Sequence, residues 1–307
     1  MDIFLQQLVN GLTLGSIYAL VALGYTMVYG IMELINFAHG DVVMVGAMVA
    51  LTALQILTGW GLPSSIALAM AVALAMVVCM GLGLAIERVA YRPLRRAPKL
   101  APLITAIGLS IVLQQLAALI WGRSYRSFPS VLSADSMSWH GVIITSIQAL
   151  IIVLAALLMA ALMLLVKRTA LGRAMRATAQ NPGVAQLMGV NTDRIIALTF
   201  VLGSALAAVA GVMVAAYYNV GNYTMGFMLG LKAFTAAVLG GIGNLPGAML
   251  GGLLLGVVEA MGAGYIGDLT GGYFGSNYKD VFAFLVLIGV LVFHPNGLLG
   301  SRAREKV

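Results

Sequence analysis

Long runs without any charged side chain constrain this chain more than any other feature of its sequence. Only 9% of the 307 residues are charged and 61% are hydrophobic, whereas soluble domains have about 25% charged residues. A helix crosses a bilayer with ~20 apolar residues. Charge-free segments that reach or exceed that length include Ile3–Met32, Val42–Ile86, Leu100–Gly122, Ile195–Leu231 and Ala233–Val258. The chain is therefore predicted to be a polytopic membrane protein.

The predicted fold class is all-α. Backbone polar groups in lipid must be bonded within their own segment, and no alternation typical of a membrane β-barrel is visible. We expect one transmembrane domain over residues 1–307, with eight or nine transmembrane helices that include a broken or re-entrant Gly-rich pair at 228–241 and 246–264. The other helices are expected near 8–30, 36–57, 65–88, 101–121, 144–166, 195–217 and 280–297.

The distribution of basic residues predicts the orientation. Thirteen of the 17 Lys and Arg residues lie in the regions 88–99, 167–194 and 302–306. Cytoplasmic loops of membrane proteins are enriched in Lys and Arg, so these regions, including the C-terminus, are expected inside. The N-terminus, the loop at 123–141 and the stretch at 262–278 are then expected outside. The net charge of +7 reflects this topology, and no nucleic-acid partner is expected.

A polar, basic stretch from Lys167 to Arg194 interrupts the apolar chain. Its spacing is compatible with a helix, broken at Asn181-Pro182-Gly183, where a proline can occupy a first helical turn. We interpret it as a short helix on the membrane surface that docks a cytoplasmic partner. An ordinary inside loop rich in basic residues is the alternative.

Two further stretches, Glu33–Asp41 and Gly240–Gly247, interrupt helix within apolar sequence. Non-helical backbone at membrane depth is tolerated only inside protein or beside an aqueous cavity, and broken segments often mark transport pathways. The alternatives are a plain turn in which Asp41 caps the following helix and a tight hairpin that needs Gly and Pro only for its turn. The residues predicted to line a translocation pathway are Glu33, Asn36, His39, Gly243, Asn244 and Pro246.

Lys232 and Glu259 each end an apolar run and are therefore functional candidates. Lys232 is nevertheless expected to extend to the outer interface and to leave its charge in water. Cys79, the single cysteine, is expected to pack as a small hydrophobic residue.

Motifs of catalysis and metal binding are missing from the sequence. It contains no phosphate-binding G-x-x-x-x-G-K-[ST], no H-E-x-x-H, no cysteine pair and no G-x-S-x-G. His39, His140 and His294 are too far apart in sequence to suggest a metal site. Energy for any active transport must therefore come from another chain.

Several runs of sequence resemble one known family over nearly the whole chain. The most specific are INFAHGD at Ile35–Asp41 and AAVLGGIGNLPGAMLGG at Ala236–Gly252, and GYTMVYG, IERVAYRPLR, LMGVNTDRIIALTFVLGSALAAVAGV and YKDVFAFLVLI support them. Together they resemble the permease subunit of bacterial branched-chain amino-acid ABC transporters of the Liv or Bra type.

The resemblance implies an importer of the bacterial inner membrane for branched-chain amino acids or related small amino acids and amides. Its expected partners are a second homologous permease, two cytoplasmic ATP-binding subunits and a periplasmic substrate-binding protein. ATP and Mg would be bound by the ATPases, so the chain itself is expected to be no enzyme and to hold no cofactor. The stretch at 167–194 corresponds to the ATPase-coupling segment, with contacts expected at Gly172, Arg173, Ala179, Gln180, Asn181, Pro182, Ala185, Met188 and Gly189.

Two other functions remain open from the residues alone. A passive channel or ion-coupled carrier for a small polar solute would explain the helices but not the stretch at 167–194, and the need for ATP distinguishes it. An intramembrane enzyme would have to use Glu33, His39 and Asp41. Replacing His39 would then abolish a chemical reaction rather than uptake.

Overall fold

The structure is a computed structural model that describes residues 2–95, 97–98, 100–129, 136–139, 141–273, 275 and 278–300. The basic residues Arg96 and Lys99, His140, the loop residues 130–135 and the tail at 301–307 lie outside this description. The helices are α1 (Asp2–Met32), α2 (His39–Gly59), α3 (Ser64–Ala85), α4 (Leu100–Trp121), α5 (Ser146–Arg168), α6 (Ala170–Gln180), α7 (Pro182–Leu187), α8 (Thr192–Tyr218), α9 (Met225–Gly240), α10 (Leu245–Leu269) and α11 (Lys279–Phe293).

These elements confirm the all-α fold class. Within the described residues, seven helices are long and apolar enough to cross a membrane, and α9 is a shorter apolar helix of 16 residues. A π-helical turn (Ile86–Tyr91) and a 3-10 turn (Arg92–Leu94) continue α3. With α11, which at 1.5 Å per residue is about 22 Å long, the bundle agrees with the expected eight or nine helices.

The part of the chain that the structure describes also contains four short strands in its connections, which were not predicted. Strands β1 (Arg126–Ser127) and β4 (Val220–Gly221) pair antiparallel, and β2 (Ser136–Trp139) and β3 (Val142–Thr145) form an antiparallel hairpin. They follow or precede the long helices rather than interrupt them. Short pairings of this kind bond backbone groups that a helix no longer bonds, so they do not change the fold class.

The core of the bundle lies around α1, which packs against α8, α9 and α10. In the most apolar 18-residue part of α1, 83% of the residues are buried, whereas in the same part of α4 only 22% are. Glycines bring α1 and α10 close together, because a Cβ on Gly256 would collide with the backbone of Gly15 and one on Gly252 with that of Ala19. This is the small-residue packing of membrane helices. Cys79 is fully buried, as predicted.

The bundle has two distinct ends. At one end, the Gln6 side chain near the start of α1 donates to the Ile143 carbonyl oxygen of β3 over 3.0 Å. At the other end, Arg92 and Asp193 form an ion pair of 2.7 Å, which joins the basic region after α3 to the start of α8. We call these the hairpin end and the basic end. The regions at 88–95 and 167–194 therefore share one end, as the expected topology requires.

Helices α2 and α9 both begin inside the bundle rather than at its ends. The His39 ring lies against Gly24, well before the end of α1, so the chain turns back into the bundle before α2 starts. The backbone of Gly40 in the first turn of α2 contacts that of Gly226 in the first turn of α9. Non-helical segments therefore precede both helices within the protein interior, which is where such backbone is tolerated.

Candidate functional site

The connection at 33–41 divides into one exposed and three buried polar residues. Glu33 is exposed and has a positive φ of 53°, a conformation that costs a non-glycine residue roughly 1–2 kcal/mol. Asn36 accepts a hydrogen bond of 3.0 Å from the hydroxyl of Tyr91. His39 is 2% exposed and makes an edge contact with Tyr25, with ring centroids 4.9 Å apart. The three buried side chains therefore connect helices within the bundle.

Asp41 does not cap α2, contrary to the alternative considered from the sequence. The N-cap residue is Ala38, which makes no side-chain capping bond. The Asp41 carboxylate is fully buried and accepts a hydrogen bond of 3.0 Å from Gln114 on α4. Because α2 begins two residues before Asp41, this side chain points away from the free N–H groups of the first turn and instead joins two helices.

The Gly-rich stretch between α9 and α10 is a tight turn at the basic end. Gly241 and Gly243 have φ values of 102° and 90°, which favour glycine. The Asn244 amide donates to the Leu299 carbonyl oxygen over 2.6 Å, and its oxygen accepts from the backbone N–H of Gly247 over 3.3 Å. The turn is thereby tied to the last described residues of the chain.

A cavity of about 820 Å³ opens at the basic end. It brings together four of the six predicted pathway residues, namely Glu33, Gly243, Asn244 and Pro246, while Asn36 and His39 do not line it. We call it the basic-end cavity. Its remaining lining residues are Tyr29, Gly30, Met163, Val166, Lys167, Arg176, Val238, Ile242, Leu245, Pro295, Asn296 and Gly300.

Opposite charges face this cavity. Glu33 supplies a carboxylate, and Lys167 and Arg176 supply two cations from the end of α5 and from α6. The Arg176 guanidinium is also bonded to the Val166 carbonyl oxygen, which holds α6 against α5. A cavity with both signs of charge can hold a zwitterion, since each of its charged groups finds a partner.

The stretch at 167–194 forms two short helices, α6 and α7, with side-chain caps at each start. Thr169 accepts from the N–H of Gly172 over 3.1 Å, and Asn181 accepts from the N–H groups of Gly183 and Val184 over 3.0 and 3.1 Å. Each such cap stabilises a helix start by about 1 kcal/mol. The predicted helix with a break at Asn181-Pro182-Gly183 is confirmed.

The nine residues predicted to contact an ATPase fall into two groups. Gly172 and Ala185 are buried beneath the helices, and a Cβ on Gly172 would collide with backbone oxygens at the end of α5. Exposed apolar side chains beside the predicted positions include Leu187, which is 87% exposed. The exposed members of the predicted set are Arg173, Ala179, Gln180, Asn181, Pro182, Met188 and Gly189.

Four charged side chains form a network at this end that the sequence did not suggest. Arg95 pairs with both Glu87 and Asp193, and Arg92 pairs with Asp193. Glu87 is 2% exposed, whereas the Arg92 and Asp193 side chains are about half exposed. We call this the basic-end network. It joins the continuation of α3 to the start of α8, which directly follows α7.

A second network joins the interior of α9 and α10 to the start of α11 and corrects the prediction for Lys232. The Lys232 ammonium does not extend to an interface; it contacts Glu259 at 2.8 Å and Asp280 at 2.7 Å. Glu259 is fully buried and also accepts from the Tyr18 hydroxyl over 2.8 Å, while Lys279 lies 3.3 Å away. We call this the Lys232 network. Opposite charges near the middle of two neighbouring apolar segments were the sequence signal for it.

A small cavity of about 180 Å³ adjoins the Lys232 network on the side of the hairpin end. Its polar lining groups are Tyr18, Tyr218, Asn222 and Lys232, and its apolar wall is formed by Val214, Val220, Met225, Met228 and Leu229. We call it the Lys232 cavity. Within the described residues, no group of three or more His, Cys, Asp or Glu side chains is arranged to hold a metal ion.

Comparisons with known proteins place these features in a family. Residues 7–291 match the family described as branched-chain amino acid transport system, permease component. The high-affinity branched-chain amino acid transport system permease protein BraD of Pseudomonas aeruginosa is 51% identical, with 99% of this chain and 98% of that protein covered. The corresponding protein LivH of Escherichia coli K12 is 48% identical with the same coverage. No solved structure matches the chain. The chain belongs to the family of permease components of branched-chain amino acid transport systems.

Proposed function

We propose that this chain is the membrane-spanning permease subunit of an ATP-driven importer for branched-chain amino acids or related small amino acids and amides. It forms the translocation path with a second homologous permease in the bacterial inner membrane. Two cytoplasmic ATP-binding subunits bind and hydrolyse ATP with Mg, and a periplasmic binding protein delivers the substrate. The observation that carries this proposal is the near full-length identity of about half with two permeases named for this transport.

The orientation of the chain in the membrane follows from the Lys and Arg residues at its basic end. Because Lys and Arg are enriched in cytoplasmic loops, the basic end faces the cytoplasm and the hairpin end faces the periplasm. The basic-end cavity is then the cytoplasmic mouth of the path, in which Glu33 meets the ammonium and Lys167 and Arg176 meet the carboxylate of a leaving amino acid. The buried Asn36 and His39 support this mouth rather than line it.

The helices α6 and α7 provide the ATPase contact. Their inner residues pack against the bundle, while Leu187 and Met188 are 87% and 79% exposed at the cytoplasmic surface. Adjacent exposed apolar side chains on a charged surface mark an interaction site. The basic-end network then connects this contact to the start of α8 and to the continuation of α3, so a shift of α7 is passed to two long helices.

The test of this contact is Leu187→Arg, which places a charge in the apolar contact. The complex is purified from membranes in mild detergent, its subunits are identified by mass spectrometry, and ATP hydrolysis is measured. We expect the wild-type chain to co-purify with two ATP-binding subunits and a second permease, and Leu187→Arg to lose the ATPases while the chain remains in the membrane.

The matched control is Ala170→Arg, which adds the same charge at an exposed position at the start of α6. It is expected to keep the ATPases. Gly189→Arg is a less clean variant, because Gly189 has a φ of 83° and any side chain there strains the backbone. A wild-type chain that purifies without ATPases would contradict the importer and favour a channel or carrier.

A further inference from the structure

We infer that the Lys232 cavity is an amino-acid binding subsite on the periplasmic half of the path, where Lys232 binds the α-carboxylate of an aliphatic amino acid. The inference rests on the proposed function and assigns to it a site of entry. It does not involve the residues of the basic-end cavity.

The central side chains of the Lys232 network lie at the depth of the membrane. The network has Tyr18 near the middle of α1, Lys232 near the middle of α9 and Glu259 near the middle of α10. Ionised side chains at this depth are costly, and they occur where they are paired or face an aqueous path. The two ammonium groups of Lys232 and Lys279 balance the two carboxylates of Glu259 and Asp280, so the network as a whole is neutral.

Lys232 remains reachable from the Lys232 cavity although it is paired. Glu259 is sealed, with its side chain 1% exposed, whereas the Lys232 side chain is 12% exposed and lines the cavity. An ammonium group has three N–H donors. Glu259 accepts a hydrogen bond from one of them over 2.8 Å, and Asp280 contacts the ammonium at 2.7 Å as an ion pair without a hydrogen bond. At least one donor is therefore left for a ligand.

The Lys232 cavity matches an aliphatic amino acid in its size and in its lining. Its volume of about 180 Å³ lies below the ~300–1,000 Å³ typical of drug-sized ligands, which suits a smaller molecule. Methionine, leucine and valine side chains form the wall that an aliphatic side chain requires. The hydroxyl oxygens of Tyr18 and Tyr218 and the Asn222 amide are acceptors for the α-ammonium group.

The arrangement also explains why Glu259 has partners besides Lys232. If Lys232 were its only partner, an arriving substrate carboxylate would compete for the same ammonium and leave Glu259 unpaired. Lys279 lies 3.3 Å from Glu259 and the Tyr18 hydroxyl donates to it, so Glu259 stays satisfied while Lys232 turns one donor to the ligand. Buried charges with all their partners present are tolerated.

The test compares leucine with leucinamide, which lacks the carboxylate, as competitors for binding of radiolabelled leucine to the purified complex in the absence of the binding protein. We expect leucine to compete at least tenfold better than leucinamide in the wild type. Lys232→Met should remove this difference. Arg123→Met removes an exposed cation that belongs to neither ion network and does not line the cavity, and it should leave the difference within threefold of wild type.

A second variant keeps the inference falsifiable if Lys232→Met fails to assemble. Met228→Trp leaves the Lys232 network intact and reduces the volume of the cavity. Because leucine is larger than alanine, leucine binding should weaken at least tenfold while alanine binding changes less than threefold. Wild-type leucine affinity in Met228→Trp, or an unchanged preference over leucinamide in Lys232→Met, would overturn the inference. ATP-driven uptake that persists in those variants would leave the proposed function standing without this subsite.

Discussion

The two ion networks of this chain contain the same number of acidic and basic side chains but different kinds of cation. Each joins two acidic and two basic side chains, and each connects helices that are distant in sequence. Each contains one buried glutamate and one more exposed aspartate, namely Glu87 with Asp193 and Glu259 with Asp280. The basic-end network uses arginines, whereas the Lys232 network uses lysines. An arginine fork can bridge two carboxylates at a surface, while a lysine with a spare donor can also receive a ligand. The kind of cation and the cavity beside it, rather than burial, therefore separate a structural clamp from a binding site.

The largest effect is expected from Glu259→Ala. Two lysines would then share the carboxylate of Asp280 within the bundle, and breaking a buried ion pair on one side costs about 3–5 kcal/mol. We expect a marked loss of folded protein, measured as the monodisperse fraction and thermal midpoint in detergent. Glu33→Ala removes an exposed carboxylate and is the control, with a wild-type midpoint expected. A wild-type midpoint in Glu259→Ala would show that the Lys232 network contributes no stability.

An intermediate effect is expected from Arg95→Ala. The substitution leaves the buried Glu87 without this partner, and an unsatisfied buried polar group costs about 1–3 kcal/mol. The midpoint should fall less than in Glu259→Ala, and ATP hydrolysis should respond less to substrate because α8 is no longer tied to the end of α3. Arg95→Lys restores the charge but not the fork, so only a partial recovery is expected. Full recovery would contradict the bridging role.

The smallest effect is expected from Arg92→Ala. Its pair with Asp193 is about half exposed on both sides, and such pairs contribute about 0.2–1 kcal/mol. The difference from wild type should disappear in 1 M salt, where the Debye length is about 3 Å. A difference as large as that of Arg95→Ala, or one that salt does not reduce, would show that the basic-end network is not a surface clamp.

The sequence was sufficient for the membrane helices and for the broken helix within 167–194, because both depend on local properties. Charge-free runs predicted the membrane helices to within a few residues at most ends, and Asn181-Pro182 predicted the division between α6 and α7. Strands β1 and β4 were missed because they are far apart in sequence. Strands β2 and β3 are neighbours, but four residues each are too few for a clear periodic signal.

The candidate site was predicted less completely, because its residues meet only through packing. Four of the six pathway residues line one cavity, but Asn36 and His39 point into the interior, which their spacing alone did not indicate. Lys232 was assigned to an interface because a lone lysine within an apolar run extends to water by default. Its partner Asp280 lies on α11, and no local pattern connects the two residues.

The measurement that tests the central claim most directly is leucine uptake by the purified complex in proteoliposomes, with the binding protein on one face and ATP on the other. We predict that labelled leucine accumulates only when ATP faces the basic end, and that Leu187→Arg abolishes accumulation while Ala170→Arg does not. Uptake that equilibrates without ATP, or that is driven by an ion gradient alone, would contradict the importer.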